Sequence, residues 1–321
     1  MKKILIPFFV LLGFGAKAQH TVDDIITYNA SFTIRTGTTD LWGDVGNPGS
    51  FGQTSNFNHY LNKQYWGNLR GFIGLTGKYK VANGFRARLD LTYGSLYASD
   101  DFNERKAKLE NGTPNLDYLL NARNLDVKTN ISEAAVMLEV RPFEWYRRYK
   151  QIAKARYNPY LGLGIGLFHF NPKGSYFNPS TGKTEWVALH DLHLEGQGFP
   201  EQGMPGNYKL TQFCVPVCLG LDYVLSKKVT IGFEFTYRIL FTDYLDDVSN
   251  SYIDPSLFDK NLLPENAAIA KAMYNKSDDP IFQHAPTDIR GTPKNKDAYS
   301  TFGFTCTYRL WPSEKNWRNY W

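Results

Sequence analysis

The residues best suited to metal chemistry lie in one short stretch, where His190 and His193 are followed by Glu195. Imidazole nitrogens and carboxylate oxygens are ligands that Zn²⁺ accepts in proteins. However, the stretch falls in a long predicted loop, and no further ligand follows at a recognisable zinc-site spacing. A solvated loop is therefore the favoured interpretation, and no metal ligand is assigned.

A second candidate is the acidic segment 242–249, which contains Asp243, Asp246 and Asp247. Closely spaced carboxylates can bind Ca²⁺, but this segment lacks the glycine and the terminal glutamate of an EF-hand loop. Weak calcium binding stays open as an alternative. The pattern favours an ordered loop base in which aspartate side chains accept hydrogen bonds from nearby backbone amides.

The sequence contains none of the common motifs of catalysis or nucleotide binding. Gly-x-Ser-x-Gly, His-Glu-x-x-His and phosphate-loop patterns do not occur. Gly162, Gly164 and Gly166 alternate within a strand-like segment, so we expect them to face the inside of a sheet beside bulky neighbours. We therefore predict a protein that is not an enzyme and has neither catalytic residues nor a bound cofactor.

The segment 229–241 is the clearest guide to the elements that hold the charged residues. Its odd positions are apolar or aromatic without a break, and its even positions include Glu234 and Arg238. Successive side chains of a β-strand point to opposite faces of the sheet. The segment therefore predicts a strand with one apolar face and one charged face. By itself it does not say which face is the core.

The first 18 residues predict that the chain is exported. Lys2 and Lys3 precede an apolar run from Ile4 to Phe14, and an Ala-Lys-Ala sequence ends at residue 18. This is the pattern of a cleaved secretory signal peptide. No later apolar run approaches the roughly 20 residues of a membrane helix. We expect a mature chain that begins at Gln19 and enters a membrane, if it does, through strands.

The charge balance argues against nucleic acid as a partner. The chain has 36 Lys and Arg against 31 Asp and Glu, and three of the lysines lie in the predicted signal peptide. The mature chain is therefore close to neutral and has a weak long-range field. Aromatic residues make up 16% of the chain, although its mean hydropathy is negative. Aromatic-rich strands joined by polar loops are the composition of a transmembrane barrel.

Eight segments alternate between apolar and polar residues with a period of two. They cover residues 28–37, 69–81, 84–98, 125–141, 157–170, 209–225, 228–242 and 298–310. Their connections are alternately long and short, as in outer-membrane barrels. We therefore predict an all-β fold, an eight-stranded antiparallel up-and-down transmembrane β-barrel with short periplasmic turns and long extracellular loops. A secreted β-sandwich is the alternative.

This interpretation divides the chain into four parts. They are a signal peptide (1–18), an N-terminal periplasmic segment (19–27), the outer-membrane barrel (28–310) and an aromatic C-terminal periplasmic tail (311–321). Pro216 interrupts the sixth strand-like segment with a residue that cannot donate a ladder hydrogen bond, so we expect a local bulge there.

If the apolar faces meet lipid, the charged faces must line the inside of the barrel. An eight-stranded lumen is just wide enough to be filled by side chains, and buried charges persist when they are paired. We expect an interlocked charge network that closes the lumen, with a narrow polar pore as the alternative. The residues assigned to this network are Arg70, Arg86, Arg88, Asp90, Glu133, Glu139, Arg141, Asp222, Glu234, Arg238 and Arg309.

A series of short motifs resembles the PorG-like outer-membrane barrels of Bacteroidetes. The motifs follow one another along nearly the whole predicted barrel, and their order is more specific than any one of them. The most specific is 238–249, with its Thr-Asp-Tyr-Leu-Asp-Asp-Val-Ser core. The others are Ala87–Gly94, Ser99–Asp100, Arg123–Leu125, Glu133, Glu139–Val140, Asn158–Leu161, Gly164–Phe168 and Phe170–Pro172.

The resemblance implies a non-enzymatic barrel of the type IX secretion system, or a close relative, that sits in outer membrane lipid. Such a barrel would help to anchor periplasmic ring or lipoprotein components of the secretion machinery, so its contacts would lie on the short-turn side. The candidate surface is Glu144, Trp145, Tyr146, Arg147 and Arg148, because Trp, Tyr and Arg are enriched in interface hot spots. An aromatic girdle that meets lipid headgroups is the alternative.

The long connection 243–297 favours a function of a different class. Outer loops of this length are larger than the resemblance leads us to expect. A surface adhesin or a ligand-binding barrel that acts through its extracellular loops is therefore the alternative to a secretion component.

Overall fold

The computed structural model of the protein describes residues 28–46, 65–102, 116–145, 156–277 and 284–312. The predicted signal peptide 1–18, the segment 19–27 and residues 313–321 of the tail lie outside these ranges. The same is true of three residues of the predicted periplasmic surface, Tyr146, Arg147 and Arg148.

Ten strands form one antiparallel sheet within the described ranges. They are β1 (Tyr28–Trp42), β2 (Arg70–Ala82), β3 (Phe85–Ser99), β4 (Asp126–Val140), β5 (Tyr157–His169), β6 (Lys173–Asn178), β7 (Lys183–Ala188), β8 (Thr211–Val224), β9 (Val229–Leu240) and β10 (Ala298–Pro312). All except β6 and β7 belong to a barrel in which β8 pairs with β5 and β10 pairs with β1. The closed eight-stranded barrel confirms the predicted fold.

The strand ends differ from the prediction by a few residues. The largest difference is in β1, which continues to Trp42, whereas the alternation predicted an end at residue 37. The last strand, β10, continues through residues 311 and 312, which had been assigned to the C-terminal tail. Its backbone there pairs with the first residues of β1, so the barrel extends slightly beyond the predicted boundary at 310.

The outer surface of the barrel is apolar. Outward-facing side chains such as Val136, Ile165, Phe233 and Phe304 are between 47% and 68% exposed. The alternate positions of the same strands are buried, as the pattern of β4 shows along its whole length. The barrel is therefore inverted with respect to a soluble sandwich, because its apolar face points outward and its charged face is the core.

Pro216 does not produce the predicted bulge. In the pairing of β5 with β8, Leu163 faces Val217 and Gly166 faces Cys214, which is one unchanged register on both sides of Pro216. The pairs between them are missing from this ladder, whereas Pro216 stays paired with Arg238 of β9. The proline therefore removes hydrogen bonds on its β5 side and leaves the strand without an extra residue.

The described parts of the four long connections pack into a cap over the outer end of the barrel, which we call the dome. It contains the helices α1 (Leu116–Arg123), α2 (Ser256–Asn261) and α3 (Pro264–Tyr274), together with the hairpin of β6 and β7. Lys173 of β6 pairs with Lys128 of β4, so the hairpin extends the sheet above the barrel. No helix within the described ranges is long and apolar enough to cross a membrane.

One apolar core joins the dome to the outer part of the lumen. Inward-facing strand residues Leu96, Val127 and Ile131 belong to the same cluster as the dome residues Phe258 and Met273. The inward face was predicted to carry a charge network, whereas near the dome it is apolar, because the dome rather than water covers this end of the barrel.

Candidate functional site

The centre of the lumen is organised around Glu234 of β9. Its carboxylate accepts two hydrogen bonds from Arg88 of β3, with Nη1–Oε2 at 2.6 Å and Nη2–Oε1 at 2.8 Å. Arg35 of β1 donates to Oε1 at 3.2 Å, and the hydroxyl of Tyr160 in β5 donates to Oε2 at 2.9 Å. One buried carboxylate therefore ties together four strands of the barrel.

Asp90 extends this centre along β3. Its Oδ1 accepts a hydrogen bond from Nε of Arg88 at 2.6 Å, and its Oδ2 lies 3.4 Å from Nη2 of Arg35. All three side chains are almost completely buried. Buried charges are tolerated when each has an opposite partner and further hydrogen bonds. The arrangement meets this condition because both guanidinium groups face two carboxylates.

A second group of ion pairs lies toward the periplasmic end. Glu139 accepts from Nε of Arg141 at 2.5 Å, and its other oxygen lies 2.9 Å from Nζ of Lys78. Arg141 also reaches Asp222 of β8 at 2.7 Å. The aromatic face of Tyr160 lies beneath this guanidinium, 4.6 Å from its central carbon. These contacts continue the charged core across the lumen to β8.

Glu144 closes the periplasmic end of the lumen, contrary to the prediction that it belongs to a contact surface. Its side chain is fully buried and forms an ion pair with Arg86 at 2.8 Å. Asn158 donates a hydrogen bond to the same oxygen at 3.2 Å. The short 3₁₀ turn 142–144 folds this carboxylate back into the barrel, because buried Arg86 needs a counter-charge.

Glu133 and Arg238 form the upper layer of the charged core. Nε of Arg238 donates to Oε2 of Glu133 at 3.0 Å, and its Nη1 donates to the hydroxyl of Thr301 at 2.6 Å. The hydroxyl of Tyr299 donates to the same carboxylate oxygen. Phe168 packs against the ring of Tyr299 just above. The charged core therefore ends where the apolar core of the dome begins.

Two predicted members of the network have other contacts. Arg70 lies at the outer end of β2 and is only partly buried. It donates to the carbonyl oxygens of Gly67 and Leu69 and stacks on the ring of Tyr97. Arg309 is buried near the periplasmic end, where it donates to backbone oxygens of the turn 225–228 and to a threonine hydroxyl. Arg70 was therefore wrongly assigned to the central network.

Two contributors to the core, Arg35 and Tyr160, are not among the residues predicted from the sequence. Arg35 was not assigned because no charged alternation marks β1, whose other inward residues include Thr33 and Thr39. The alternation in the sequence does indicate its direction. Arg35 occupies an odd-numbered position of the strand, like Thr33 and Thr39, and the apolar side chain of Ile34 beside it faces outward. Tyr160 was missed because a tyrosine fits either face of a membrane strand.

The paired charged side chains of the lumen are at most 5% exposed. A void near the periplasmic end, bordered by Lys78, Arg86, Arg141 and Asp222, has a volume of about 20 Å³. This is room for a single water molecule. A filled and ion-paired lumen has no place for the continuous water column of a porin channel. The core of the barrel is therefore suited to holding the strands together rather than to conduction.

The dome is held together by carboxylates that accept hydrogen bonds from backbone amides of other loops. Asp246 accepts from the amides of Val45 and Val248, at 2.9 Å and 3.0 Å. Glu195 accepts from the amides of Ser249 and Asn250, both at 2.9 Å. The predicted loop base with aspartate caps is therefore present at Asp246, and it extends to carboxylates of other loops.

Two buried arginines connect the same loops. Arg123 of α1 pairs with Asp100 at 2.8 Å and donates to the backbone oxygens of Asp44 and Arg290, each at 2.9 Å. Arg290 in turn pairs with Glu195 at 2.9 Å. Each of the four long connections contributes at least one residue to these contacts. The dome is therefore one folded unit and not a set of independent loops.

Four aspartates of the dome, Asp44, Asp243, Asp246 and Asp247, have raised pKa values because they are buried close to other acidic groups. Burial, followed by repulsion from Asp246, raises the pKa of Asp44 to about 8. Burial also raises the pKa of Asp243 to about 7, that of Asp246 to about 6 and that of Asp247 to about 7. Arg290 and the hydroxyl of Tyr208 partly offset this effect at Asp247. The dome thus holds protons that free aspartates would lose.

The histidine stretch is not assembled as a metal site. His190 contacts Asp191 and the backbone oxygen of Tyr208, each at 3.1 Å. Its ring centre lies 6.2 Å from that of His193, and Glu195 is occupied by backbone amides and Arg290. In the part of the chain that the structure describes, no group of three or more His, Cys, Asp or Glu side chains is arranged to hold a metal ion.

The apolar outer belt and the charged interior decide the environment of the barrel. A closed antiparallel barrel with this inside-out distribution leaves no unpaired strand edge in its ring of eight and presents a mostly apolar surface to hydrocarbon. The protein is an outer-membrane β-barrel. Its short turns face the periplasm, and the dome lies on the extracellular side.

The sequence matches no family model and no curated protein. Among solved structures, the chain is similar to Ail, the attachment invasion locus protein of Yersinia pestis, with 8% identity and a TM-score of 0.34 over 88% of this chain and 99% of that one. It is similar to the outer membrane protein OprG from Pseudomonas aeruginosa, with 13% identity and a TM-score of 0.35 over 88% and 98%. It is also similar to Neisserial surface protein A, with 8% identity and a TM-score of 0.31 over 88% of this chain and 96% of that one.

Proposed function

We propose that this barrel is a non-enzymatic structural protein that assembles with other proteins at the outer membrane. The observation that carries the proposal is the lumen, which is filled by paired charges from Lys78 at one end to Arg238 at the other. Because the lumen is filled, the surfaces available for binding other proteins are the two rims of the barrel and the dome. The specific role that we propose is that of a component of a type IX protein secretion apparatus.

The sequence resemblance to PorG-like barrels supports this specific role, and it directs attention to the periplasmic rim. There, Trp145 is 46% exposed but held in one place. Its indole N–H donates to the backbone oxygen of Asn83 at 3.1 Å, and its ring packs 5.4 Å from that of Phe85. A fixed, half-exposed tryptophan binds a partner without losing much conformational entropy. We propose that it contacts periplasmic ring proteins.

The alternative for Trp145 is an interfacial position among lipid headgroups, which its contact with outward-facing Phe85 also allows. A photo-crosslinking amino acid in place of Trp145 distinguishes the two. Adducts to a periplasmic ring or lipoprotein component are expected. Adducts to lipid alone would contradict the proposed contact. The same crosslinker in place of Leu225, which is exposed at the neighbouring short turn, is the matched control.

Deletion of the gene tests the secretion role directly. The expected result is that proteins secreted by the type IX apparatus accumulate inside the cell, and that the wild-type chain restores their release. Normal release from the deletion strain would remove the secretion role, although it would leave the closed barrel unaffected.

A role in binding at the cell surface is the second candidate, and exposed apolar side chains on the dome favour it. Phe177 at the tip region of the hairpin is 61% exposed, and Leu263 and Ile289 are 73% and 68% exposed. Exposed apolar groups at the tips of ordered loops are suited to contact another surface. Loss of cell adhesion in a Phe177→Ser variant with normal secretion would favour this candidate over the first.

A further inference from the structure

A large groove lies on the outside of the molecule, where β8 and β9 meet the dome. Its volume is about 990 Å³, and its wall is formed by the loops before β8 and after β9 and by the turn before β10. This size is at the upper end of the range for ligand sites, which is about 300–1,000 Å³. The groove is separate from the filled lumen, because its lining includes outward-facing Phe213 of β8 and exposed Phe241, which directly follows β9.

The lower end of the groove is apolar and continues the lipid-facing belt. Phe213 and Phe241 flank the last pair of the β8–β9 ladder, Cys214 with Leu240. The two phenyl rings are 65% and 63% exposed, so their faces are open to the membrane side. Large apolar side chains this exposed at the rim of a membrane barrel lie within reach of acyl chains.

The upper end of the groove is polar and basic. Lys209 and Lys296 are exposed and line it from two different loops, together with Gln212 and Asn250. Nζ of Lys296 donates to the backbone oxygen of Pro293 at 3.0 Å, which holds the ammonium at the wall. A lysine ammonium has three donors, so this contact leaves two N–H groups for a ligand.

The wall between these two ends is rigid. The rings of Tyr208 and Tyr244 stack at 4.7 Å with an angle of 6°. The hydroxyl of Tyr208 donates to Asp247 at 2.7 Å, and Asn250 donates to the hydroxyl of Tyr244 at 2.6 Å. The tyrosines are therefore fixed before any ligand arrives, which reduces the entropy lost on binding.

Asp243 is the one acidic residue of the lining, and it does not oppose an anion strongly. Its side chain is 3% exposed, and its Oδ2 accepts a hydrogen bond from the hydroxyl of Ser249 at 2.7 Å. The carboxyl group is thus directed toward the interior of the dome. The exposed charges of the groove are the two ammonium groups.

We propose that this groove binds the phosphate-bearing headgroup of a lipid in the outer leaflet of the membrane. The phosphate lies between Lys209 and Lys296, and the acyl chains descend along Phe213 and Phe241. The assignment follows from the order of the groups along the membrane normal, basic and polar above and apolar below, which is the order of the parts of a lipid. A free inorganic anion would make no favourable contact with the phenyl rings at the lower end, whereas an acyl chain would pack against them.

A neighbouring groove on the barrel surface provides further room for an acyl chain. Its volume is about 560 Å³, its lining is mostly apolar, and it shares Thr211 with the first groove. It forms where the small side chains Ser132 and Ala134 of β4 lie between larger outward residues such as Leu91 and Leu167. The second groove therefore lies beside the headgroup site on the lipid-facing surface.

The test compares lipid retention by the full-length mature protein and a Lys209→Gln/Lys296→Gln variant. Both are incorporated into phosphatidylcholine nanodiscs that contain bisphosphorylated lipid A, and the bound lipid is measured by native mass spectrometry. The variant loses both ammonium groups and is expected to bind about 30-fold more weakly, which corresponds to about 2 kcal/mol for two lysines near a charged membrane surface.

A Lys173→Gln/Lys183→Gln variant is the matched control. It removes the same charge from exposed positions of the dome hairpin, away from the groove, and is expected to bind like the wild type. Dephosphorylated lipid A should bind the wild type as weakly as the groove variant binds the phosphorylated form. Equal retention by the groove variant, or equal binding of the dephosphorylated lipid, would overturn the proposal. Complete displacement by inorganic phosphate would show a free-anion site instead.

Discussion

Arg88 and Glu234 form a two-point ion pair across the full width of the lumen. Arg88 belongs to β3 and Glu234 to β9, and these strands are four places apart in the ring of eight, on opposite walls. The two N–O distances are 2.6 Å and 2.8 Å. This pair spans the barrel axis, so the charged core both closes the lumen and joins its opposite walls.

The first prediction concerns the stability of the barrel when Glu234 is replaced by glutamine. The change leaves the buried guanidinium groups of Arg88 and Arg35 with one carboxylate fewer between them. Removing one partner of a buried ion pair typically costs about 3–5 kcal/mol. We expect a decrease of this size in the free energy of unfolding, measured by urea titration of the detergent-solubilised protein with tryptophan fluorescence.

The matched control is Glu185→Gln. Glu185 is exposed on the hairpin, where its carboxylate contacts Asn178 and Thr181 at the surface. Exposed polar contacts contribute little to stability, so this variant should unfold at the same urea concentration as the wild type. An equal loss of stability in both variants would show that the central position of Glu234 is not special.

The second prediction is that the wild-type protein is electrically silent. The pair of Arg88 and Glu234 crosses the axis, and the apolar cluster that contains Phe168 and Tyr299 covers the outer end of the lumen. No stepwise conductance is expected in planar lipid bilayers, in which a known porin serves as the positive control. Stable unitary steps from the purified protein would mean that the lumen opens, and they would favour the pore interpretation.

The sequence predicted the barrel well because a membrane strand has only two faces. Once lipid is assigned to the apolar face, a residue such as Glu234 or Arg88 has no other place than the lumen. The same rule could not place Arg70, because at the end of a strand the inward direction opens toward a loop. Its guanidinium therefore binds backbone oxygens at Gly67 and Leu69.

The dome was beyond the reach of strand periodicity. Glu195 and Arg290 are 95 residues apart in sequence, and nothing in the pattern of either loop requires them to meet. Short helices such as α3 carry no strong sequence pattern, and their position depends on the apolar core beneath them. Glu144 was misplaced for a similar reason, since its need to neutralise Arg86 is a tertiary contact rather than a local preference.

The third prediction concerns the pH dependence of the dome. The folded-state pKa values of Asp44, Asp243 and Asp247 are about 8, 7 and 7, because these carboxyl groups are buried near one another. An unfolded aspartate has a pKa of about 3.9, so the folded dome binds more protons above this pH. By linkage, the stability of the dome is fully present below about pH 4 and decreases as the pH rises to 8.

Hydrogen exchange of dome amides, corrected for the intrinsic pH dependence of exchange, measures this effect. Opening of 241–250 should become more frequent between pH 5 and pH 8, whereas strand amides of β9 should stay protected. Asp243→Asn is the test variant, because its Oδ1 has no hydrogen-bond partner among the described residues. The substitution removes one titrating group. The slope of the free energy of dome opening against pH should therefore decrease by up to about 1.4 kcal/mol per pH unit, which is the contribution of one proton. A dome that becomes more stable with rising pH would contradict this assignment.

The fourth prediction is that the dome can open while the barrel stays closed. Glu195 accepts from the amides of Ser249 and Asn250 and pairs with buried Arg290. In a Glu195→Gln variant, Arg290 keeps its charge but loses the carboxylate with which it forms its ion pair, and breaking a buried ion pair typically costs about 3 kcal/mol or more. Limited proteolysis should then cleave within 241–277, whereas the folded barrel should keep its heat-modifiable migration on gels.

Glu201→Gln is the control for this prediction, because the ion pair of Glu201 with Lys260 lies at the surface of the same dome. The cleavage pattern of this variant should match that of the wild type. If Glu195→Gln instead unfolded the barrel and the dome together, the two would form a single cooperative unit, which the shared apolar core around Val127 and Phe258 would then explain.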